Sequence, residues 1–198
     1  MRRLALTFAS IVALAPFAAG TGSQPPAVVA VRVWSATGEA QRATGTIVAG
    51  GKVLTVDHVL EAADRIEVLA AGGIRRSATV AQRRPELDLA LLRVPGATGP
   101  AVRVALAAAS LRVLVQRDGA VQARPAVLRR QILARLVDQP GRPRRPSLEL
   151  AATLSAGDSG APVLNRTGAL VGIVYARSTR RGGTAYAVRA GELSRLAR

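Results

Sequence analysis

Short apolar segments, separated by glycine and proline, are the feature that most constrains the fold of this 198-residue chain. In residues 29–34, three valines alternate with Ala30, Arg32 and Trp34, which is the period-two pattern of a strand with one buried face. Similar short segments follow at 44–48, 52–56, 65–70, 77–83 and 87–94. Together these segments make about six strands, which is enough for one small closed β-barrel.

A second set of strand segments begins after the proline- and glycine-rich stretch 95–100, which is typical of a connection between domains. Asp118-Gly119 lies between segments 111–116 and 121–127 and is a good hairpin signal. Further strands are predicted at 131–137, 147–152, 162–165, 170–176 and 184–189. The predicted division is a lead-in at 21–26, a first barrel at 27–94, the connection at 95–100, a second barrel at 101–191 and a C-terminal helix at 192–198.

The motif Gly-Asp-Ser-Gly at 157–160 can present the hydroxyl of Ser159 beside backbone N–H groups. A serine alone is a poor nucleophile, so acyl transfer also needs a general base and a group that orients the base. Both residue types lie upstream, as His58, the only histidine, and Asp88. The order His, Asp, Ser, with intervals of 30 and 71 residues, therefore indicates a catalytic triad.

Each of these residues alone has an ordinary structural explanation. A lone histidine is more often a packed or exposed side chain, Asp88 alone is a hydrogen-bonded structural aspartate, and Gly-Asp-Ser-Gly alone is a turn. However, a carboxylate at Asp88, between Leu87 and Leu89, needs a partner to offset its desolvation. A histidine is the partner that the triad interpretation supplies.

Three sequence contexts in this order resemble the trypsin/chymotrypsin-like serine endopeptidases, and among them the cysteine-free bacterial branch that includes the HtrA-like proteases. These contexts are Thr-Gly-Thr at 44–46 followed by Val-Leu-Thr-Val-Asp-His at 53–58, Asp-Leu-Ala-Leu-Leu at 88–92, and Gly-Asp-Ser-Gly-Ala-Pro at 157–162. The resemblance implies an all-β fold of two six-stranded antiparallel barrels, with the active site in the cleft between them. The 198 residues leave no room for a PDZ module beside them.

The resemblance also implies the role of each site residue. His58 would be the general base, Asp88 the acid that orients it, and Ser159 the nucleophile, with the backbone N–H groups of Gly157 and Ser159 as the oxyanion hole. Such a serine endopeptidase acts on a protein or peptide substrate and needs no cofactor and no metal. The same resemblance assigns substrate contacts to Thr153, Tyr175, Ala176 and Ala185.

None of these substrate-contact positions carries an acid, so we expect cleavage after small or medium apolar residues rather than after arginine or lysine. Two positions depart from the family pattern. Asp57 replaces a small apolar residue beside the base, and its carboxylate either raises the pKa of His58 or points to solvent. Tyr175 stands where the family often has a small hydroxyl residue that supports the aspartate.

The chain is strongly basic, with a formal net charge of +16. Arginine pairs are scattered along it, while an aromatic content of 3% leaves few stacking platforms, which argues against a specific nucleic-acid site. The charge is either a solvated surface or a contact surface for polyanions such as anionic envelope polymers. A noncatalytic protease homologue that binds such a polymer or a protein partner is the alternative to an enzyme.

The first twenty residues have the pattern of a secretory signal peptide. Arg2-Arg3 precede an apolar run that ends at Phe17, and small residues at 18–20 follow. The apolar run is shorter than the roughly 20 residues that span a bilayer, so the pattern predicts a secreted or periplasmic protein without a stable membrane span. An uncleaved leader that tethers the protease to the membrane is the alternative. Without cysteine, the chain forms no disulfides and carries no lipid on cysteine.

We expect the mature protein to begin at Thr21, because cleavage of a signal peptide follows a small residue such as Gly20. N-terminal sequencing of the protein outside the cytoplasm checks this. A chain that starts at Met1 in the membrane fraction would contradict it and favour the tether.

Overall fold

The computed structural model describes residues 27–38, 40–117, 119–135 and 144–195, and the described chain forms two closed β-barrels. The first barrel comprises β1 (Val28–Trp34), β2 (Ala40–Val48), β3 (Lys52–Thr55), β4 (Arg65–Leu69), β5 (Arg75–Arg84) and β6 (Leu89–Arg93). The second comprises β7 (Ser110–Arg117), β8 (Ala120–Ala134), β9 (Arg145–Ala151), β10 (Pro162–Leu164), β11 (Leu170–Arg177) and β12 (Thr184–Arg189).

Both barrels have the same topology. The strand order around the first barrel is β1-β2-β3-β6-β5-β4, and the second barrel repeats it as β7-β8-β9-β12-β11-β10. Neighbouring strands are antiparallel in both. The predicted fold class of two six-stranded antiparallel barrels is therefore confirmed.

Two predicted elements differ from the structure. The segments 121–127 and 131–137 were predicted as separate strands, but β8 runs through both, and a register shift between Leu128 and Arg130 bends it without ending it. The predicted C-terminal helix is a 3-10 helix, Ala190–Arg195, within the described residues. The leader, the lead-in and residues 196–198 lie outside the described residues. Within the described residues, no helix is long and apolar enough to cross a membrane.

The core of the first barrel continues into the second. Alternate valines of β1 are buried, as the period-two pattern predicts, and they belong to one cluster of buried side chains. The same cluster includes Leu164, Leu170, Ile173 and Tyr175 from β10 and β11. The barrels therefore share buried surface, which fixes the loops of one barrel relative to those of the other.

A single residue of β2 bonds to the loop that carries Ser159. The buried Thr44 donates its backbone N–H to the carbonyl of Ser159 at 2.7 Å and its Oγ1 hydroxyl to the carbonyl of Gly157 at 3.1 Å. The carbonyl of Thr44 in turn accepts the Oγ1 hydroxyl of Thr55, at the end of β3, at 2.9 Å. The first barrel thus holds the serine loop of the second at this point.

Gly160 allows this close approach. Its φ of +87° lies in the left-handed region, and a Cβ at this position would overlap the carbonyl oxygen of Thr44. No side chain fits between the two backbones, so the glycine after Ser159 is required by the contact between barrels.

We expect Gly160→Ala to lower the free energy of unfolding well beyond the conformational cost of a left-handed alanine. Gly50→Ala is the matched control, because Gly50 also has a positive φ, +75°, but no atom lies within 4 Å of an added Cβ. The control should cost about 1–2 kcal/mol and Gly160→Ala at least about 2 kcal/mol more. Denaturant unfolding measures both, and equal losses would contradict a steric role for Gly160.

Candidate active site

Asp88 lies in a turn immediately before β6, not within a strand that begins at Leu87 as predicted. The N–H of Leu87 donates to the carbonyl of Arg84 at 3.0 Å and that of Asp88 to the carbonyl of Pro85 at 3.1 Å. Asp88 has a φ of +55°, a left-handed conformation that aspartate tolerates better than most residues. This turn places a buried carboxylate at the edge of the first barrel, beside His58.

His58 begins a short 3-10 helix, His58–Leu60, after β3, and both of its nitrogen donors bond to Asp88. Its backbone N–H donates to Asp88 Oδ1 at 2.8 Å, and its ring Nδ1 lies 2.8 Å from Asp88 Oδ2. Because a carboxylate only accepts, Nδ1 carries the proton and Nε2 is the basic nitrogen of the neutral ring. The imidazole therefore has the tautomer and the restricted orientation that a general base needs.

The charges around His58 set its basicity. Burial lowers the pKa of His58, but the hydrogen bond and the negative charge of Asp88, with a smaller contribution from Glu61, outweigh burial and raise the pKa above its usual 6.5. The nearby Arg145 guanidinium acts in the opposite direction. His58 remains 37% exposed, so its ring is accessible from the cleft.

The loop around Ser159 is held by its own backbone and by Asp158. The carboxylate of Asp158 accepts the N–H of Ser155 at 2.8 Å, and the N–H of Gly160 donates to the carbonyl of Val174 on β11 at 2.7 Å. Gly157 has a φ of +91°. Within the part of the chain that the structure describes, the N–H groups of Gly157 and Ser159 have no protein acceptor, so both can donate to an oxyanion.

Asp158 is 1% exposed and carries a two-point ion pair with Arg117 at the end of β7. Arg117 Nε lies 3.1 Å from Oδ1, and Nη2 lies 2.6 Å from Oδ2. This pair neutralises the carboxylate next to Ser159. The carboxylate of Asp158 is therefore already bonded to Arg117 and to the N–H of Ser155, and it cannot serve as the counter-charge for a basic substrate side chain.

A small pocket of about 70 Å³ lies beside Ser159. Its walls come from the loop at 154–158 and from Val174, Ala176 and Arg177 of β11. Of the four predicted substrate contacts, Ala176 lines this pocket. The other three do not: Thr153 lines a separate cavity of about 550 Å³, Tyr175 lines a larger groove described below, and Ala185 is fully buried in the second barrel's core.

Neither of the two predicted effects of Asp57 is found. Its carboxylate is 1% exposed, so it does not point to solvent, and it pairs with Arg83 on β5 through Nε and, at 3.1 Å, through Nη2. That pair neutralises Asp57, and the charges that shift the pKa of His58 come from Asp88, Glu61 and Arg145 instead.

The side chain behind Asp88 is an arginine that lies between two strands predicted from the sequence, 131–137 and 147–152, and in neither of them. Arg145, at the start of β9, is 2% exposed, and its Nη1 lies 3.4 Å from Asp88 Oδ2. Its guanidinium lies over the ring of Tyr175, 4.9 Å from the ring centroid. Asp88 belongs to the first barrel and Arg145 to the second, so this ion pair joins the barrels beneath the histidine.

Tyr175 and Ser147 complete this arrangement. Burial raises the pKa of Tyr175, whose hydroxyl lies 3.2 Å from Ser147 Oγ, and that Oγ donates to the carbonyl of Arg145 at 3.1 Å. The tyrosine thus supports the aspartate indirectly, through the arginine that lies on its ring. Nothing in the Pro-Arg-Arg-Pro sequence at 143–146 distinguishes this buried arginine from its neighbours.

Comparison with known proteins agrees with this geometry. A family model described as a trypsin-like peptidase domain matches residues 43–173. Two curated proteins of Mycobacterium tuberculosis, serine protease MT3772 of strain CDC 1551 / Oshkosh and serine protease Rv3671c of strain ATCC 25618 / H37Rv, are each 30% identical over 159 residues. The alignment covers 76% of this chain, and the chain spans 40% of the length of these relatives.

Solved structures of proteases have a similar fold. The crystal structure of the active form of the Rv3671c protease from M. tuberculosis has a TM-score of 0.79 and 27% identity, covering 87% of this chain and 80% of that one. The HtrA-type protease AlgW with a tripeptide has a TM-score of 0.73 and 22% identity, covering 87% of this chain and 59% of that one. The second similarity is one of fold.

We expect Arg145→Met to raise the pKa of His58, because the substitution removes a nearby cation that disfavours the imidazolium. His58 is the only histidine, so NMR titration of its ring protons reports this pKa without ambiguity. Tyr175→Phe is the matched control, since it keeps the ring beneath Arg145 and removes only the hydroxyl. An unchanged pKa of His58 in Arg145→Met would contradict the charge effect.

Proposed function

The chain belongs to the trypsin-like peptidase family, and we propose that it is a serine endopeptidase that hydrolyses peptide bonds through an acyl-enzyme on Ser159. The observation that carries the proposal is the double hydrogen bond between His58 and Asp88 at the barrel edge that also holds the serine loop. Thr55, three residues before His58, bonds to Thr44, and Thr44 bonds to Ser159. The proposed base, His58, is therefore connected to the proposed nucleophile, Ser159, through the hydrogen bonds of Thr55 and Thr44.

In this proposal Ser159 Oγ attacks the scissile carbonyl carbon while His58 Nε2 takes the hydroxyl proton. The carbonyl oxygen becomes an oxyanion that accepts hydrogen bonds from the N–H groups of Gly157 and Ser159. Asp88 stabilises the imidazolium, which then donates its proton to the leaving amine. A water that gives a proton to the same Nε2 then attacks the acyl carbon, and the proton returns to Ser159 Oγ as the ester bond breaks and the acid product leaves.

The pocket beside Ser159 supports a preference for a small apolar side chain before the cleaved bond. The pocket is small, about 70 Å³, which suits a side chain such as that of alanine or valine. An arginine or lysine would meet the exposed Arg177 at the wall and the already neutralised Asp158. Burying a substrate cation there would cost several kcal/mol without a counter-charge.

We further propose that the protein acts outside the cytoplasm, as a secreted or periplasmic enzyme. The signal-peptide pattern at residues 1–20 supports this, and N-terminal sequencing tests it as described above.

We expect Ser159→Ala and His58→Ala each to reduce kcat on the order of a millionfold, because the members of a triad act as a unit. The measurement is hydrolysis of an internally quenched peptide, together with covalent labelling by a fluorophosphonate probe. The parent protein should label at Ser159, and Ser159→Ala should not. Circular dichroism and thermal unfolding verify that the variants keep their fold.

If the probe does not label the parent protein and the parent protein hydrolyses no peptide, the proposal is contradicted. It would favour the alternative of a noncatalytic homologue that binds a polyanion or a protein partner.

A further inference from the structure

A groove of about 620 Å³ adjoins the pocket beside Ser159. It is lined by the end of β8, the end of β11, the loop at 178–181 and Tyr186 of β12. Ala176 and Arg177 line both the groove and the small pocket, so the two lie next to each other along β11. A substrate whose side chain fills the pocket has the groove directly beside it.

The groove is strongly basic. Of the residues that the structure describes, five arginines and one acid line it, and the acid, Glu149, is paired with Arg130 at 2.8 Å. Among the residues that the structure describes, the other four arginines have no carboxylate partner: Arg135, Arg177, Arg180 and Arg181. All four are exposed. Like charges repel over a screening length of about 8–10 Å, so an anionic group in the groove would lower this repulsion.

The edge of β11 next to the groove is open. β10 pairs with β11 only as far as Ile173, and Val174 bonds to Gly160 and Ala161. Within the described residues no strand pairs with Ala176 and Arg177 on that side, while β12 pairs with them on the other. An extended peptide can add to such an edge by main-chain hydrogen bonds, with side chains alternating toward and away from the groove.

We propose that this groove selects substrates with acidic side chains among the few residues that precede the cleaved bond. The inference rests on the proposed peptidase function. The residue that forms the acyl-enzyme fills the pocket walled by Ala176 and Arg177, so the chain that precedes it continues along the same wall. Glutamate or aspartate there pairs with exposed arginines through charge-assisted hydrogen bonds, each modest because solvent screens it, with several acting together.

The net charge of +16 attracts any acidic peptide, so the test must separate the groove from the rest of the surface. The groove variant is Arg180→Gln/Arg181→Gln. The matched control is Arg93→Gln/Arg166→Gln, which removes the same charge from two exposed arginines that do not line the groove. Both variants keep Arg177, which also lines the pocket.

The substrates are internally quenched peptides with alanine before the cleaved bond and either glutamate or glutamine at the three preceding positions. For the parent protein at low salt, we expect kcat/KM for the glutamate peptide to be about tenfold higher, which corresponds to about 1.4 kcal/mol. This ratio should fall at high salt. It should shrink to less than about threefold in the groove variant and persist in the control.

Equal ratios in the groove variant and the control would overturn the inference, as would a parent protein that cleaves the glutamine peptide equally well. The peptidase proposal would survive either result.

A binding experiment tests the groove without catalysis. In the Ser159→Ala background, fluorescence anisotropy of the labelled glutamate and glutamine peptides should show the same preference and the same loss in the groove variant. If no peptide is hydrolysed and no probe labels the protein, the function proposal fails, but this binding result still supports or overturns the groove. Inorganic polyphosphate is the probe for a diffuse polyanion surface. If it binds the groove variant and the control equally, and the protein binds the glutamate and glutamine peptides equally, the groove inference is overturned.

Discussion

Thr44 joins the two barrels at the loop that carries Ser159. Its N–H and hydroxyl bond to the carbonyls of Ser159 and Gly157, and its own carbonyl accepts the hydroxyl of Thr55 near His58. These three hydrogen bonds therefore connect β3, which precedes His58, to the serine loop. The contact is close enough that only a glycine fits at position 160, so the spacing of the site and the sequence of the motif have one steric cause. Thr44 and Thr55 are both fully buried, so water does not compete for the hydrogen bond between them.

Every buried acid that the structure describes has an arginine beside it. Asp57 pairs with Arg83, Asp88 with Arg145, Asp158 with Arg117, and Glu149 with Arg130. A buried carboxylate without such a partner would cost several kcal/mol, and the planar guanidinium suits two-point pairing better than an ammonium does. This gives part of the chain's arginine content a structural role. It also explains how Asp57 and Asp158 can lie next to His58 and Ser159 with their charges neutralised.

The sequence predicted the barrels and the pairing of His58 with Asp88 because both follow from local patterns. Alternating valines reveal a strand, and a carboxylate among leucines needs a partner. The burial of Arg145 and its contact with Asp88 depend on how the two barrels pack, which no local pattern records. The same holds for the pocket: Ala176 lies on its wall, whereas Ala185, on the neighbouring strand, points into the core. The bend in β8 was missed because a bulge keeps a strand continuous across a break in its alternation.

The same electrostatic rule that stabilises the fold sets the character of the cleft. Since arginines neutralise all the described buried acids, none of these acids remains to receive a basic substrate side chain. The groove has the opposite balance of charge, because the described arginines that line it outnumber the described acids. Buried pairs are held by charge attraction in a low dielectric and are weakly screened, while the exposed groove charges are strongly screened. Salt should therefore weaken the attraction of the groove arginines for an anion, while the buried pairs, that of Asp88 with Arg145 among them, stay in place.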